Sequence, residues 1–384
     1  MMNPCVASLN KSATLKITSL TKKLIIEGKD VVNFAAGEPD FDTPPFIKDA
    51  AKKAIAEGFT KYTSSVGFPQ LREAIANKLR KDNKIDVSAS NVIVTSGAKY
   101  ALFAAMFALL DLGDEVILPC PYWVSYPEML KMTSAKTILL PGDETNNFRI
   151  DLQRLKDAIN PKTKILILNY PNNPTGMTYS LEKLNEIYDI VKDKNIFVIS
   201  DEIYEELTYD GKKHTSFASL GQAKEFTITI NGFSKTFSMT GWRIGYLAAP
   251  DSLVENISKI IDHTTSCASA ISQKAALAAL GDKDWKTQAR DTFEKRRNIL
   301  WEGLSKIDRL KPLKSEGTFY MFCNIGETNL TSFDFSTQLL QRHLVSVIPS
   351  EPFGKEGFIR LSFSTSLEQI KKGIERIKQF ISEI

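Results

Sequence analysis

Apolar and polar positions follow two alternating periods along most of the chain. Short, continuous apolar runs at 91–95, 115–118, 136–140, 164–170, 195–201, 226–230 and 244–249 predict strands buried on both faces. Between them, 99–110, 152–159 and 181–192 carry apolar residues at helical spacing. Strands alternating with helices predict an α/β domain with a mostly parallel sheet. Helices are also expected at 49–57, closed by Gly58, and at 71–80. After a helical region reaching residue 280 the pattern changes. A long amphipathic helix at 285–304 precedes strands at 317–323, 344–348 and 358–363. A last helix at 367–381 places Ile370, Ile374, Ile377 and Ile381 on one stripe. This second region predicts a smaller α+β domain. No internal repeat or low-complexity linker separates the two regions.

In a parallel α/β sheet, residues just past the carboxyl ends of the strands converge on one rim, where such sheets bind ligands. Gly97, Trp123, Asn173, Asp201, Lys235 and Arg243 fall in that position or beside it. Lys235 follows 226–230; a desolvated lysine there loses its proton more readily and can attack a carbonyl carbon, whereas a solvated lysine has no such role. The local Gly-Phe-Ser-Lys-Thr is not a phosphate loop, because Ser234 stands where that motif needs glycine and Met-Thr-Gly-Trp prevents an immediate helix.

The small-residue turn Ser96-Gly97-Ala98 between strand and helix is the geometry that aims free N–H groups at a phosphate, although βα turns also occur without ligands. It lacks Gly-x-Gly-x-x-Gly, which disfavours a dinucleotide. Trp123 or Tyr122 offers a flat face for a flat ligand, or packs in the core. Asn173 is fixed by the prolines and glycine of Pro171-Asn-Asn-Pro-Thr-Gly176. Asp201 closes an apolar strand and needs a cationic partner such as a protonated ring nitrogen, arginine or lysine. Arg360, inside an apolar strand, suits either an internal salt bridge or a bound carboxylate.

Composition narrows the function classes. Of 384 residues, 49 are Lys or Arg and 45 Asp or Glu, a net charge of +4 that gives no footing for nucleic acid or an anionic membrane. The four cysteines and three histidines are scattered, which points away from a zinc site or a Ser-His-Asp triad and toward reduced thiols in the cytoplasm. The first residues show no secretory signal pattern, and no apolar run is long enough to span a bilayer.

Six motifs in order carry a family resemblance that spans nearly the whole chain. They are Ala-Gly-Glu-Pro-Asp-Phe near the start, Pro-Tyr-Trp-Val-Ser-Tyr-Pro, Asn-Asn-Pro-Thr-Gly, Ser-Asp-Glu-Ile-Tyr, Ser-Lys-Thr-Phe-Ser-Met-Thr-Gly-Trp-Arg-Ile-Gly-Tyr and Ile-Arg-Leu-Ser. The chain resembles the fold-type I, pyridoxal-phosphate-dependent aminotransferases, and more narrowly the bacterial aspartate aminotransferases of class I. That resemblance implies a mostly parallel seven-stranded sheet flanked by helices in a large domain at 44–280. An N-terminal arm at 1–43 and a small α+β domain at 281–384 complete the implied architecture. It also implies a homodimer with shared active sites, amino-acid and 2-oxo-acid substrates, and pyridoxal 5′-phosphate as cofactor.

By the same resemblance, Lys235 matches the Schiff-base lysine and proton carrier, and Asp201 the carboxylate that keeps the ring nitrogen protonated. Asn173 and Tyr204 match the pair that hydrogen-bonds the phenolic oxygen, and Trp123 the stacking ring. Gly97, Ala98 and Arg243 match phosphate contacts, with Tyr62 reaching the phosphate from the other subunit. Arg360 matches the clamp on the substrate α-carboxylate, with a backbone contact from Gly37. Lys99, with Ser12 and Thr14, is implicated at the side-chain carboxylate. The implied reaction is ping-pong transamination of L-aspartate with 2-oxoglutarate. Alternatives on the same fold are an aromatic, alanine or broad-specificity aminotransferase, prephenate included, a lyase, and a non-catalytic cofactor-binding regulator. Relatives that also accept prephenate carry Lys-Pro-Ser-Ala-Thr; here Asn10-Lys11-Ser12-Ala13-Thr14 has its lysine displaced by one position, which speaks against prephenate.

Overall fold

The computed structural model describes residues 4–9, 14–282 and 284–384. At its centre is a seven-stranded sheet in the order Val92–Thr95, Gly245–Ala248, Thr227–Gly232, Phe197–Asp201, Thr163–Asn169, Glu115–Cys120, Lys136–Pro141. Gly245–Ala248 runs antiparallel to both its neighbours, and the remaining pairs are parallel. Helices on both faces explain the unbroken apolar runs. In Thr163–Asn169, Ile165 and Ile167 enter one core while Leu166 and Leu168 enter the core on the other face.

The later elements build a four-stranded antiparallel sheet in the order Ile348–Pro349, Phe358–Ser362, Tyr320–Asn324, Lys311–Pro312. Its core joins Val32 and Phe34 to Phe293, Leu300, Leu339, Ile370, Ile377 and Ile381, with Ile374 packed alongside. The expected isoleucine stripe is thus the buried face of the helix Leu367–Glu383.

Three local expectations change. The run 344–348 is two strands: Val345–Ser346 pairs in parallel with Val32–Asn33, and Ile348–Pro349 pairs with Phe358–Ser362. The helix expected at 49–57 is Pro45–Ala56, because Pro45 supplies the fixed φ that suits a first helical turn. Arg243 does not follow a parallel strand; it precedes the antiparallel Gly245–Ala248, whose reversed direction brings it to the same rim.

The loop that follows Val32–Asn33 is tied across to the rim. Arg296, on the helix Asp284–Leu304, donates from both terminal nitrogens to the two oxygens of Asp40, at 2.6 and 3.0 Å. Such a bidentate pair fixes orientation as well as distance, and three residues earlier the Gly37 carbonyl accepts from Lys235 at 2.6 Å.

Candidate active site

A cavity of about 590 Å³ opens at the carboxyl rim of the parallel strands. Its lining includes Gly37, Ala98, Lys99, Trp123, Asn173, Asp201, Tyr204, Lys235, Arg243 and Arg360, so residues far apart in sequence meet there as expected.

Asp201 ends its strand with its carboxylate buried. Tyr126 donates to Oδ2 at 2.6 Å and the Ile203 amide approaches Oδ1 at 3.3 Å. Burial outweighs these donors and pushes its pKa up to about 6. No cationic side chain among the described residues pairs with it at ion-pair distance, and it lines the cavity.

Lys235 lies in the turn after Thr227–Gly232. Its Nζ donates to the Gly37 carbonyl at 2.6 Å and stands over the rings of Tyr204 and Phe319 at 5.9 and 5.6 Å. Burial lowers its pKa, with Arg360 and Arg243 acting in the same direction against Tyr320 and Glu38. A lysine so placed gives up its proton more readily than one in water, the property that a carbonyl-attacking amine requires.

The helix Ala98–Leu109 begins at the rim. Its first N–H groups have no partner within the helix and its dipole is positive there. Gly97 has φ of +94°, and a Cβ on it would lie 2.6 Å from Nη2 of Arg243. Glycine therefore lets the guanidinium close over the helix start. Arg243 donates to the Thr240 and Ser96 carbonyls at 3.0 and 3.4 Å. Helix start and guanidinium together form a cradle for a dianion.

Arg360 projects from Phe358–Ser362, buried, with its guanidinium 4.1 Å above the Tyr320 ring. Nη1 donates to Oδ1 of Asn173 at 3.0 Å, while Nε is buried without a partner. Among the described residues it makes no ion pair, so the internal salt bridge is not its role; a buried guanidinium with a spare donor fits a carboxylate. Lys99 stands 4.9 Å above the Trp123 ring. Burial, then Arg243 and Lys235, lower its pKa.

Not every expected residue is brought in. Tyr62 is 89% exposed in its loop and lies outside the cavity lining. Ser12 is outside the described residues, as is the side chain of Thr14, whose backbone opens the helix Thr14–Ile26. Four and eight residues beyond Thr14, Thr18 and Lys22 do line the cavity, a helical spacing that could have flagged them. Tyr126, also missed, sits three residues after Trp123 and packs edge-on against it at 5.3 Å. Tyr320 and Glu38 complete the surroundings of Lys235, and Thr240 donates to Glu38 at 2.8 Å.

The chain matches the family model for aminotransferase class I and II over residues 29–377. It belongs to that family. This aminotransferase is 44% identical over 383 residues to an aspartate aminotransferase of Geobacillus stearothermophilus, covering 98% of each chain. It is 42% identical to a probable aspartate/prephenate aminotransferase of Aquifex aeolicus, covering 99% of this chain and 98% of that one. Among solved structures, the aspartate aminotransferase of Thermus thermophilus with maleate superimposes with a TM-score of 0.95 at 38% identity, covering 99% of both chains.

Aminotransferases of this family depend on pyridoxal 5′-phosphate, and the cavity of this aminotransferase suits that cofactor. Five cations line it, Lys22, Lys99, Lys235, Arg243 and Arg360, against two carboxylates, Glu38 and Asp201. That excess matches a phosphate dianion and a carboxylated substrate occupying one cavity. The orphaned Nε of Arg360 and the unpaired carboxylate of Asp201 provide the two specific complements, an acceptor anion and a protonated ring nitrogen.

Proposed function

We propose that this aminotransferase converts L-aspartate and 2-oxoglutarate to oxaloacetate and L-glutamate in a ping-pong cycle. The observation that carries this reading is the placement of three separate anion sites around one desolvated lysine. These are the helix start with Arg243, the buried Arg360, and Lys99 over Trp123. The first fits the cofactor phosphate. The other two fit a substrate with a carboxylate at each end, which aspartate, glutamate and their 2-oxo acids share.

Pyridoxal phosphate, when bound, supplies the electron sink that stabilises a carbanion at the substrate Cα. The protein's own groups do the rest. Asp201, held by Tyr126, keeps the ring nitrogen protonated. Asn173, its Oδ1 already accepting from Arg360, has its amide group left to donate to the phenolic oxygen; the Tyr204 hydroxyl, which here donates to Tyr320 at 3.4 Å, would turn to become the second donor. Trp123, which lines the cavity, would offer its ring to one face of the cofactor. Arg360 and the backbone at Gly37 orient the α-carboxylate so that the Cα proton faces Lys235. Lys235 is the residue that would hold the cofactor, and its Nζ as a free amine would take that proton; burial, which lowers its proton affinity, keeps the amine available.

Around this site we place a large domain at 44–280 and a small one from 281–384 with the arm at 1–43. The mixed core of Val32 and Phe34 with the C-terminal helices supports that division. We place a second copy of the chain over the exposed Tyr62, which then reaches the neighbouring phosphate. The cytoplasm is the proposed location, supported by the free thiols of Cys120, Cys267 and Cys323; no helix among the described residues is long and apolar enough to cross a membrane.

The test is a set of half-reactions of the cofactor-loaded protein with single amino acids, followed by the cofactor's absorbance and by product analysis. Aspartate and glutamate are expected to react fastest, each giving its 2-oxo acid. Faster turnover of alanine or an aromatic amino acid overturns the substrate assignment. A decarboxylated product overturns amino transfer itself.

A further inference from the structure

The turn after the strand Phe197–Asp201 carries acidic residues on two faces, and only one face belongs to the cavity. Asp201 and Tyr204 line the cavity, whereas Glu202 and Glu205 do not. Glu202 is fully buried and accepts from an unusually complete set of donors. Ser200 and Ser216 donate to Oε1 at 2.7 Å, with the Phe217 amide at 3.3 Å and the Tyr170 hydroxyl at 3.4 Å. Nε2 of His214 lies 2.9 Å from Oε2, and the His214 ring stacks on Tyr170 at 5.1 Å. Glu205 is paired with Lys78 and accepts from Asn83 at 2.6 Å.

The carboxylate and imidazole donors of Glu202, Glu205 and His214 lie within 4.8 Å of one another. The Lys78 ammonium already fills the charge that a cation would bring, so the cluster is an internal anchor. It clamps the turn onto the helix Pro69–Lys81 and the segment around Ser216. The same cluster reaches the cavity side through the backbone. Tyr170, a donor to Glu202, also donates its amide to the Asp201 carbonyl at 3.2 Å. Asn169 donates to that carbonyl at 3.1 Å and accepts from the Asn173 amide at 2.9 Å.

We propose that Glu202, held by His214, is a positioning residue for amino transfer: it fixes the strand end so that the Asp201 carboxylate stays under the cofactor's ring nitrogen. The inference rests on the functional reading above and goes beyond it by giving a task to a carboxylate that touches neither cofactor nor substrate. Its charge acts as well as its hydrogen bonds. Burial is the main cause of the high proton affinity of Asp201, and the adjacent Glu202 charge adds to it. A negative charge behind the strand end favours a proton at the Asp201–ring nitrogen pair.

The test compares Glu202→Gln, which keeps the shape and loses the charge, with the unsubstituted chain by two spectroscopic readouts. One is the carboxyl ¹³C titration of Asp201 in the cofactor-free protein; the other is the ring-nitrogen ¹⁵N resonance of labelled cofactor in the loaded protein. The proposal predicts that the Asp201 midpoint falls, that the ring-nitrogen signal moves toward its unprotonated position, and that kcat drops about tenfold with KM nearly constant. A lowered melting temperature with both resonances and kcat unchanged overturns it, because Glu202 is then a fold anchor alone. If Glu202→Gln does not fold, His214→Phe, which keeps the stack on Tyr170 but leaves the Glu202 charge without its imidazole partner, must shift the Asp201 midpoint the other way, upward; an unchanged midpoint overturns the proposal. An unsubstituted chain whose labelled cofactor shows no protonated ring nitrogen refutes the functional reading instead.

Discussion

Asp201 and Glu202 are adjacent, both buried and both acidic, yet their surroundings differ in kind. Glu202 finds five donors within the protein, so its charge is compensated on folding. Asp201 has the Tyr126 hydroxyl, one long amide contact and a raised pKa. The difference teaches how to tell a structural carboxylate from a functional one in a sheet: the structural one is satisfied by its own chain, and the functional one is left short of a partner that a ligand must bring. Arg360 repeats the lesson with opposite sign: among the described residues it has no carboxylate partner and lines the cavity, while the buried Arg297 is paired with Asp210 through two 2.8 Å contacts.

Substitutions on the two faces should therefore separate activity from stability. The largest effect is expected for Lys235→Ala, which removes the group that carries the Cα proton. Steady-state assays should show kcat reduced on the order of 10⁴-fold with the urea midpoint of the cofactor-free protein little changed. Glu202→Ala, on the satisfied face, should lose mainly stability, with kcat falling only about tenfold through its lost hold on Asp201. Leaving His214, Ser200 and Ser216 without their acceptor should cost roughly 3–5 kcal/mol in urea unfolding.

Asp201→Asn sharpens the contrast through pH. Burial raises the Asp201 pKa to about 6 in the folded chain, above the ordinary carboxylate value of about 3.9. The folded state therefore binds more protons across that window, and stability falls as pH rises through it. At neutral pH the penalty is on the order of 3 kcal/mol. Cofactor-free Asp201→Asn should then unfold at higher urea than the unsubstituted chain, with an advantage that grows from about pH 4 to about pH 6 and levels off above about pH 7, while its transaminase activity collapses. A variant less stable at every pH would place Asp201 with Glu202 among the structural groups. The smallest effect is expected for Lys99→Ala. Loss of one charge-assisted contact should lower kcat/KM for aspartate about 10- to 100-fold and leave that for alanine nearly unchanged, as measured in parallel assays.

Much of the site was legible in the sequence because strand ends are legible. Asp201, Asn173 and Lys235 stand just past apolar runs, and parallel pairing brings such ends to one rim. Arg360 announced itself as a charge within an apolar strand. What was hidden depended on contacts between distant segments. Tyr126 gains its meaning only when its hydroxyl reaches Asp201 across the rim, 75 residues away in sequence. His214, one of three scattered histidines, joins Glu202 only after the loop folds back. The break in 344–348 was unreadable for a related reason. Leu344 takes a left-handed φ of +54°, and the pairing of Val345–Ser346 with the distant Val32–Asn33 is not encoded in local pattern.

The claim on which the rest depends is that Lys235 is the covalent anchor of the cofactor at this rim. Borohydride reduction of the cofactor-loaded protein, followed by proteolysis and peptide mapping by mass spectrometry, tests it directly. The account predicts a single pyridoxyl-phosphate adduct on the peptide containing Lys235. An adduct on Lys99 or another lysine, or no adduct at all, would contradict it.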